Sequence, residues 1–304
     1  LPRMTMLIAM PWRETRPLVV RRRKLDPDQD VSVWPQTGPL DKIDFAVLWH
    51  QPPGLLAELP NLRAVTSYGA GVDFIMDAPD LPPGVGVGRV VGARLVASMR
   101  EYLLAVVLAH RRGVLRGQAA DRIEQPSRPP RIGVLGLGEL GAAAAQAFAA
   151  LDCEVAGWRR QSAPLDGVTV HTGDDGLVHI AAQAEYLLCL LPLTPATRGV
   201  LSTELLAHCR GSYLINAGRG AHLVTGDLQP ALDAGHLCGA CLDVTDPEPL
   251  PGDHPLRVDP RVLLTEHSAS LTDPDEAARQ VLESYARARA GAAPLNAVDR
   301  GRGY

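Results

Sequence analysis

The run Arg131-Ile-Gly-Val-Leu-Gly136-Leu-Gly138-Glu-Leu-Gly141 constrains this chain more than any other segment. An apolar strand precedes it and an alanine-rich helix follows, the context in which a glycine triplet of this spacing is informative. Gly136 permits the tight turn, Gly138 lets an anion approach the backbone, and Gly141 lets the helix pack close to the strand. The N–H groups opening the helix, at Glu139 and Leu140, have no intrahelical acceptor and sit at the positive end of the helix dipole. They are ready to bind the pyrophosphate of a dinucleotide. Such a turn belongs to a doubly wound parallel sheet, so the expected fold class is α/β.

The rest of the chain agrees with that class. Short apolar runs alternate with helical patterns, as in successive βαβ units. Strands are expected at Met6–Met10, Phe45–Trp49, Leu62–Ser67, Ile132–Leu135, Glu154–Trp158, Tyr186–Leu190, Ser212–Asn216, Gly239–Val244 and Val262–Thr265. Helices are expected from Ser98 to about Gly117, from Glu139 to Leu151 and from Pro274 to Ala290. Ser98 with Glu101 reads as a capping box. The proline-bearing segment Gln125–Pro130 ends the first of these helices, and the tail after Ala290 is expected to pack loosely. The basic run Arg21–Lys24 reads as a solvated loop or strand end.

At 304 residues the chain has room for two domains at roughly 150 residues each. Its formal net charge of -4 argues against non-specific nucleic-acid binding. No apolar run reaches the roughly 18 residues that cross a bilayer, and the first ten residues lack a secretory signal layout. Five scattered cysteines fit a reducing compartment, so a cytoplasmic location is expected. Cys238-Gly-Ala-Cys241 has no second pair or helix start beside it, so it reads as buried thiols in a strand and no metal is expected.

The strand after the glycine turn ends Trp158-Arg159-Arg160. An enzyme preferring NAD usually places Asp or Glu here, roughly 20 residues past the glycines, to bond the ribose 2′-hydroxyl. Two arginines and no acid fit a 2′-phosphate instead, which guanidinium can hold bidentately. NADPH is therefore expected over NADH, with Trp158, Arg159 and Arg160 lining the adenosine end.

Three further segments follow strands: Asn216-Ala217-Gly218-Arg219-Gly220, Asp243-Val-Thr-Asp-Pro-Glu248, and Glu266-His267-Ser-Ala-Ser270. Ligands of open α/β sheets gather at the carboxyl ends of strands, so Arg219, Glu248 and His267 can converge there. Together with Ser67-Tyr-Gly-Ala70-Gly71-Val-Asp73, Met99-Arg-Glu101-Tyr102 and Leu191-Pro192-Leu-Thr-Pro-Ala-Thr197, these segments are similar to the D-isomer-specific 2-hydroxyacid dehydrogenase family. Within it they most resemble the glyoxylate/hydroxypyruvate reductase branch, over nearly the whole chain.

The resemblance implies two Rossmann-like domains, with residues 99–271 forming a dinucleotide-binding domain inserted into a substrate domain of residues 1–98 and 272–304. It implies cofactor contacts from Leu191, Pro192, Thr197, Ala217 and Gly218, and from Asp243 to the nicotinamide carboxamide. It implies substrate contacts from Ala70, Gly71 and Trp49, the last also readable as a core aromatic. Reduction of a 2-keto acid needs a carboxylate site, a polarising cation and a proton donor. Arg219 supplies the first two by charge-assisted hydrogen bonds. His267 supplies the proton, and Glu248 orients it. Many members carry proline before the histidine; this chain has Glu266 there, which places a second carboxylate beside His267.

The expected substrates are small 2-keto acids, glyoxylate and hydroxypyruvate, with a homodimer as the expected assembly. Another D-2-hydroxy acid is an alternative substrate. A regulatory protein that responds to NAD(H) is a more distant reading, opposed by the presence of Arg219, Glu248 and His267 and by the lack of a DNA-binding motif.

Overall fold

The computed structural model describes residues 5–116 and 128–304. Gly117 and residues 125–127 of the expected helix end and linker lie outside them. The chain divides into two compact units, Leu1–Leu95 with Thr272–Tyr304, and Val96–Leu271.

The first unit contains strands β1 (Thr5–Ala9), β2 (Val31–Val33), β3 (Ile43–Leu48), β4 (Ala64–Ser67) and β5 (Gly86–Arg89), and helices α1 (Arg16–Leu25) and α2 (Asp73–Met76). The helix α3 (Ala93–Arg111) begins here and continues into the second unit. The second unit adds β6 (Arg131–Leu135), α4 (Glu139–Ala149), β7 (Glu154–Trp158), β8 (Thr169–His171), α5 (Gly173–Gln183), β9 (Tyr186–Cys189), α6 (Thr203–Leu206), β10 (Ser212–Asn216), α7 (Thr225–Asp233), β11 (Leu237–Leu242) and β12 (Val262–Leu264). The last helix, α8 (Pro274–Arg289), returns to the first unit.

Both sheets are wholly parallel. The first has the order β2-β1-β3-β4-β5 and the second β12-β11-β10-β9-β6-β7-β8. In the second, the chain steps outward from β6 to β8, then crosses to β9 on the other side of β6. The β6/β9 boundary is therefore the topological switch point, where a crevice opens beyond the strand ends. The central strands β3, β6, β9 and β10 are buried on both faces, so they read as continuous apolar runs rather than alternating ones. In the second sheet one face packs Met99, Leu103 and Val107 of α3 with Ala144, Ala145 and Phe148 of α4. The other packs Ile180 of α5 with Leu228 and Leu232 of α7. In the first sheet, Leu18 of α1 shares one face with Ala277, Val281 and Tyr285 of α8.

Four expectations are corrected. The basic run Arg21–Lys24 lies in α1, and Arg22 is buried with its Nη2 donating to Gln29 O at 3.0 Å. Packing against α8 overrides the poor helical character of Val19, Val20 and the like charges. Ser98 is inside α3, not its N-cap. The helix starts five residues earlier, where the Ala93 and Arg94 N–H groups donate to the Glu276 carboxylate at 2.9 and 3.3 Å. Cys238 is exposed on β11 while Cys241 is buried, so the CxxC thiols point to opposite faces of a strand. The tail is anchored, since the Val298 N–H donates to Val87 O at 2.8 Å, Val298 is buried, and Pro294 lies against Gly86 and Gly88.

Candidate active site

In the second unit the expected site residues lie at or beyond the carboxyl ends of β6, β7, β9, β10, β11 and β12, on loops except for Trp158, which closes β7, and Glu139 and Leu140, which open α4. The glycine turn follows β6 at the switch point. Gly136 has φ +102°, and a Cβ there would stand 2.7–2.9 Å from backbone atoms of Leu190 and Leu191. Only glycine lets the turn approach the end of β9 this closely. A Cβ on Gly141 would overlap Gly136 O, so that glycine sets the depth at which α4 packs. Gly138 is different: it is exposed, it precedes the first turn of α4, and a Cβ there would meet no atom within 4 Å. Its missing side chain is explained by nothing in the protein. Gly157 on β7 was not singled out by sequence reasoning, yet it gives Leu137 room to lie flat on the sheet.

The Gly136 N–H donates to Trp158 O at 3.0 Å, tying the turn to the end of β7. The Trp158 indole donates from Nε1 to Gly173 O at 2.8 Å, and so leans toward α5. Arg159 is half-buried and Arg160 exposed. Among the described residues no protein acceptor holds the Arg159 guanidinium. Beyond β9, Thr197 closes its own loop, donating from Oγ1 to Pro192 O at 2.6 Å and accepting from Thr194 N–H at 2.9 Å. Its hydroxyl proton is thereby committed to the loop's shape. Leu191 is buried and its carbonyl lies against Gly218.

The Arg219 loop is built by two side chains that sequence reasoning passed over. Buried Asn216 donates from Nδ2 to Arg219 O at 2.9 Å and accepts from Gly218 N–H at 3.3 Å. An asparagine ahead of a glycine turn is a known turn-former and was a legible signal. Buried His222 accepts from Arg219 N–H through Nδ1 at 3.1 Å, and no local pattern announced it. Ala217 donates its N–H to Cys189 O at 3.2 Å, which aligns the loop beside the end of β9. Gly220 rests against the Thr245 backbone, where any Cβ would overlap. This contact brings the loop carrying Arg219 beside the one carrying Glu248.

Glu248 and His267 meet, with Nδ1 to Oε1 at 2.6 Å. Glu266, the alternative carboxylate, is exposed. With Nδ1 donating to Glu248, Nε2 is the ring nitrogen turned away from that carboxylate. His267 has φ +49°, unusual for a side chain of this size. Asp243 is buried: its carbonyl accepts from His267 N–H at 2.8 Å, and its Oδ1 accepts from Ser268 N–H at 2.8 Å. The Ala269 N–H reaches both carboxylate oxygens at 3.1 Å. Asp243 thus holds the histidine loop, a task not expected from sequence, while Oδ2 keeps capacity for a further donor.

In the first unit, Ala70 and Gly71 sit on the loop after β4. Ser67 shapes it, donating from Oγ to Gly71 O at 2.6 Å and accepting from Gly69 N–H at 3.3 Å. Trp49 is largely buried and belongs to the core face shared with α8, so the core reading of this residue holds. Its outer edge still borders the loop: a Cβ on Gly69 would come 2.7 Å from the indole, and the Arg13 guanidinium lies 4.5 Å over the ring. Among the described residues no cluster of His, Cys, Asp and Glu could hold a metal, and no helix is long and apolar enough to cross a membrane.

Residues 97–269 match the family model for the D-isomer specific 2-hydroxyacid dehydrogenase, NAD binding domain. The chain belongs to this family. It is 36% identical over 291 residues to a glyoxylate/hydroxypyruvate reductase A of Yersinia enterocolitica, covering 91% of this chain and 93% of that one. Among solved structures, a D-isomer specific 2-hydroxyacid dehydrogenase from Xanthobacter autotrophicus, in complex with NADPH and MES, matches with TM-score 0.90 and 36% identity over 99% of both chains. An NADPH-dependent glyoxylate/hydroxypyruvate reductase from Sinorhizobium meliloti, in complex with NADP and sulfate, matches with TM-score 0.90 and 31% identity over 99% of this chain and 100% of that one.

Proposed function

We propose that this dehydrogenase reduces small 2-keto acids, glyoxylate and hydroxypyruvate foremost, to D-2-hydroxy acids at the expense of NADPH. The observation that carries the reading is the contact of His267 with Glu248 in the same unit as the glycine turn and Arg219. The relatives named as glyoxylate/hydroxypyruvate reductases support it.

The residues present fit the cofactor. Gly138 leaves open space over the first turn of α4, as a bound pyrophosphate requires, and the N–H groups of Glu139 and Leu140 open that turn. Arg159, with no protein acceptor among the described residues, suits the 2′-phosphate, with Arg160 and Trp158 beside it. Leu191, Pro192, Ala217 and Gly218 line the crevice between turn and Arg219 loop, Thr197 keeps its shape, and the open side of Asp243 suits the carboxamide. When bound, the reduced nicotinamide supplies a hydride to the keto carbon.

Arg219 binds the substrate carboxylate and polarises the neighbouring carbonyl, because its charge favours the oxygen as negative charge develops there. His267 holds a proton on Nε2 and gives it to that oxygen as the alkoxide forms. Glu248 fixes the ring by its bond to Nδ1, which leaves Nε2 for the substrate oxygen. In the first unit, the N–H groups of Ala70 and Gly71 bind substrate carboxylate, and Trp49 limits substrate size through its edge.

The five cysteines form no disulfide, which favours a reducing, cytoplasmic setting. The exposed Leu108, Val114 and Leu115, on and just beyond the end of α3, favour a homodimer that covers them. The test is the loss of reduced-nicotinamide absorbance when glyoxylate or hydroxypyruvate is added to enzyme and NADPH. Turnover is expected, and the absence of turnover with any small keto acid overturns the reading.

A further inference from the structure

The loop bearing His267 is held by a chain of hydrogen bonds whose direction can be worked out. The Asp243 carboxylate only accepts, so the 2.6 Å contact to Thr265 is Thr265 Oγ1 donating. That commits the single hydroxyl proton of Thr265. At the 2.8 Å contact with Tyr102, Thr265 must therefore accept and the Tyr102 phenol must donate. The phenol proton is then committed as well, so at the 3.2 Å contact with Cys241 the thiol is the donor. The chain runs one way, from Cys241 through Tyr102 and Thr265 to Asp243. Burial raises the Tyr102 phenol well above its ordinary range and the Cys241 thiol to about 11, so both keep the protons this direction requires.

At its far end, successive N–H groups of His267, Ser268 and Ala269 all point at Asp243. Two of these successive donors, Ser268 and Ala269, converge on the carboxylate while His267 takes the backbone carbonyl, as in an anion-holding nest, in which one residue of the turn takes positive φ. Here that residue is His267, at +49°. Asp243 satisfies the nest, and the hydroxyl of Thr265, itself seated by Tyr102 of α3, fixes the position of Oδ1.

We infer that Tyr102 and Thr265 are positioning residues of the reaction, holding Asp243 so that its nest keeps the His267 backbone left-handed and the ring on Glu248. The inference rests on the proton-donor role of His267 proposed above. Neither residue touches substrate, so they act through Asp243, and chiefly on the proton-transfer step, since Thr265 fixes Oδ1 and leaves Oδ2 to the carboxamide.

The test compares Thr265→Val, Tyr102→Phe and Thr265→Ser with the wild type. Losing a hydrogen bond to a charged group in such a shell is expected to lower kcat about 10- to 100-fold for Thr265→Val, and less for Tyr102→Phe. Thr265→Ser, which keeps the hydroxyl, recovers most of the loss. The double variant is no slower than Thr265→Val alone, as members of one chain are not additive. Keto-acid KM stays within about twofold of wild type, NADPH affinity falls by much less than kcat, and the solvent isotope effect on kcat rises as proton transfer becomes limiting. Wild-type kcat in Thr265→Val, or a loss shared equally by NADPH affinity, overturns the inference. A second arm needs no turnover: amide hydrogen exchange at Ser268 and Ala269 is expected to speed up at least about tenfold in Thr265→Val. Unchanged exchange overturns the inference whether or not the wild type reduces keto acids, whereas a wild type without turnover but with faster exchange in the variant overturns only the proposed reaction.

Discussion

Two glycines two residues apart are expected to behave in opposite ways when replaced by alanine. At Gly136, alanine faces a φ of +102° and backbone atoms at 2.7–2.9 Å with no flexible side chain to give way. The conformation costs roughly 1–3 kcal/mol and the overpacking a further 1–3 kcal/mol. A loss of about 2–6 kcal/mol is a large part of a typical folding free energy of 5–15 kcal/mol. At Gly138 the backbone is extended, at φ -75° and ψ -168°, and a Cβ meets nothing within 4 Å. Alanine there is expected to be neutral or to stabilise by up to about 1 kcal/mol, through the lower entropy of the unfolded chain. The same methyl group would stand where a pyrophosphate must approach. Loss of even one charge-assisted N–H bond, worth roughly 1.5–3 kcal/mol, weakens binding about 10- to 100-fold. Thermal melts and titration calorimetry with NADPH separate the two effects. Gly138→Ala should melt no lower than wild type yet bind NADPH at least about tenfold more weakly. Wild-type affinity in Gly138→Ala would refute the placement of the phosphates, and a large drop in its Tm would refute the claim that the space is open.

Three further outcomes are expected. Arg219→Ala lowers kcat/KM about 10³-fold or more, because carboxylate binding and carbonyl polarisation are lost together; steady-state kinetics showing an unchanged value would remove Arg219 from the site. Arg159→Asp shifts the NADPH-to-NADH preference by at least about tenfold towards NADH, since a carboxylate repels the 2′-phosphate and suits a free 2′-hydroxyl; a constant ratio shows that this arginine does not read the phosphate. Asp44 is buried on β3, and burial lifts its carboxyl from 3.8 to about 6. The fold therefore holds the proton more tightly than the unfolded chain does, so the stability from this group is fully present below pH 3.8 and is lost as pH rises from there through about 6. Asp44→Asn removes a cost of at most about 3 kcal/mol above pH 7 and little at pH 4; melts that differ equally at both pH values contradict this.

What could be read from the sequence follows from where each feature gets its stability. β7 and β10 were legible to the residue because they are apolar runs closed by turns. The short edge strands β2, β5 and β8 were not, because Val-Ser-Val, Gly-Val-Gly-Arg and Thr-Val-His carry little apolar signal and form by pairing with a neighbour. α1 was hidden because its helicity comes from packing on α8. The start of α3 was misplaced because its cap, Glu276, lies 183 residues away from Ala93. At the site, Arg219, Glu248 and His267 were visible because strand ends can be located. The Tyr102–Thr265–Asp243 chain was not, since it works through contacts between a helix and loops that the linear order does not bring together; Asn216 carried a legible local signal, whereas His222, three residues from its partner Arg219, carried none.

The central claim is that this fold carries out stereospecific reduction of a keto acid on bound NADPH, with His267 as proton donor. The most direct measurement is chiral analysis of the product formed from hydroxypyruvate and NADPH by the wild type and by His267→Ala. The wild type is expected to give the D-hydroxy acid alone, and the variant to bind NADPH normally but form product at least about 10²-fold more slowly. L-product, no product from the wild type, or full activity in His267→Ala contradicts the account.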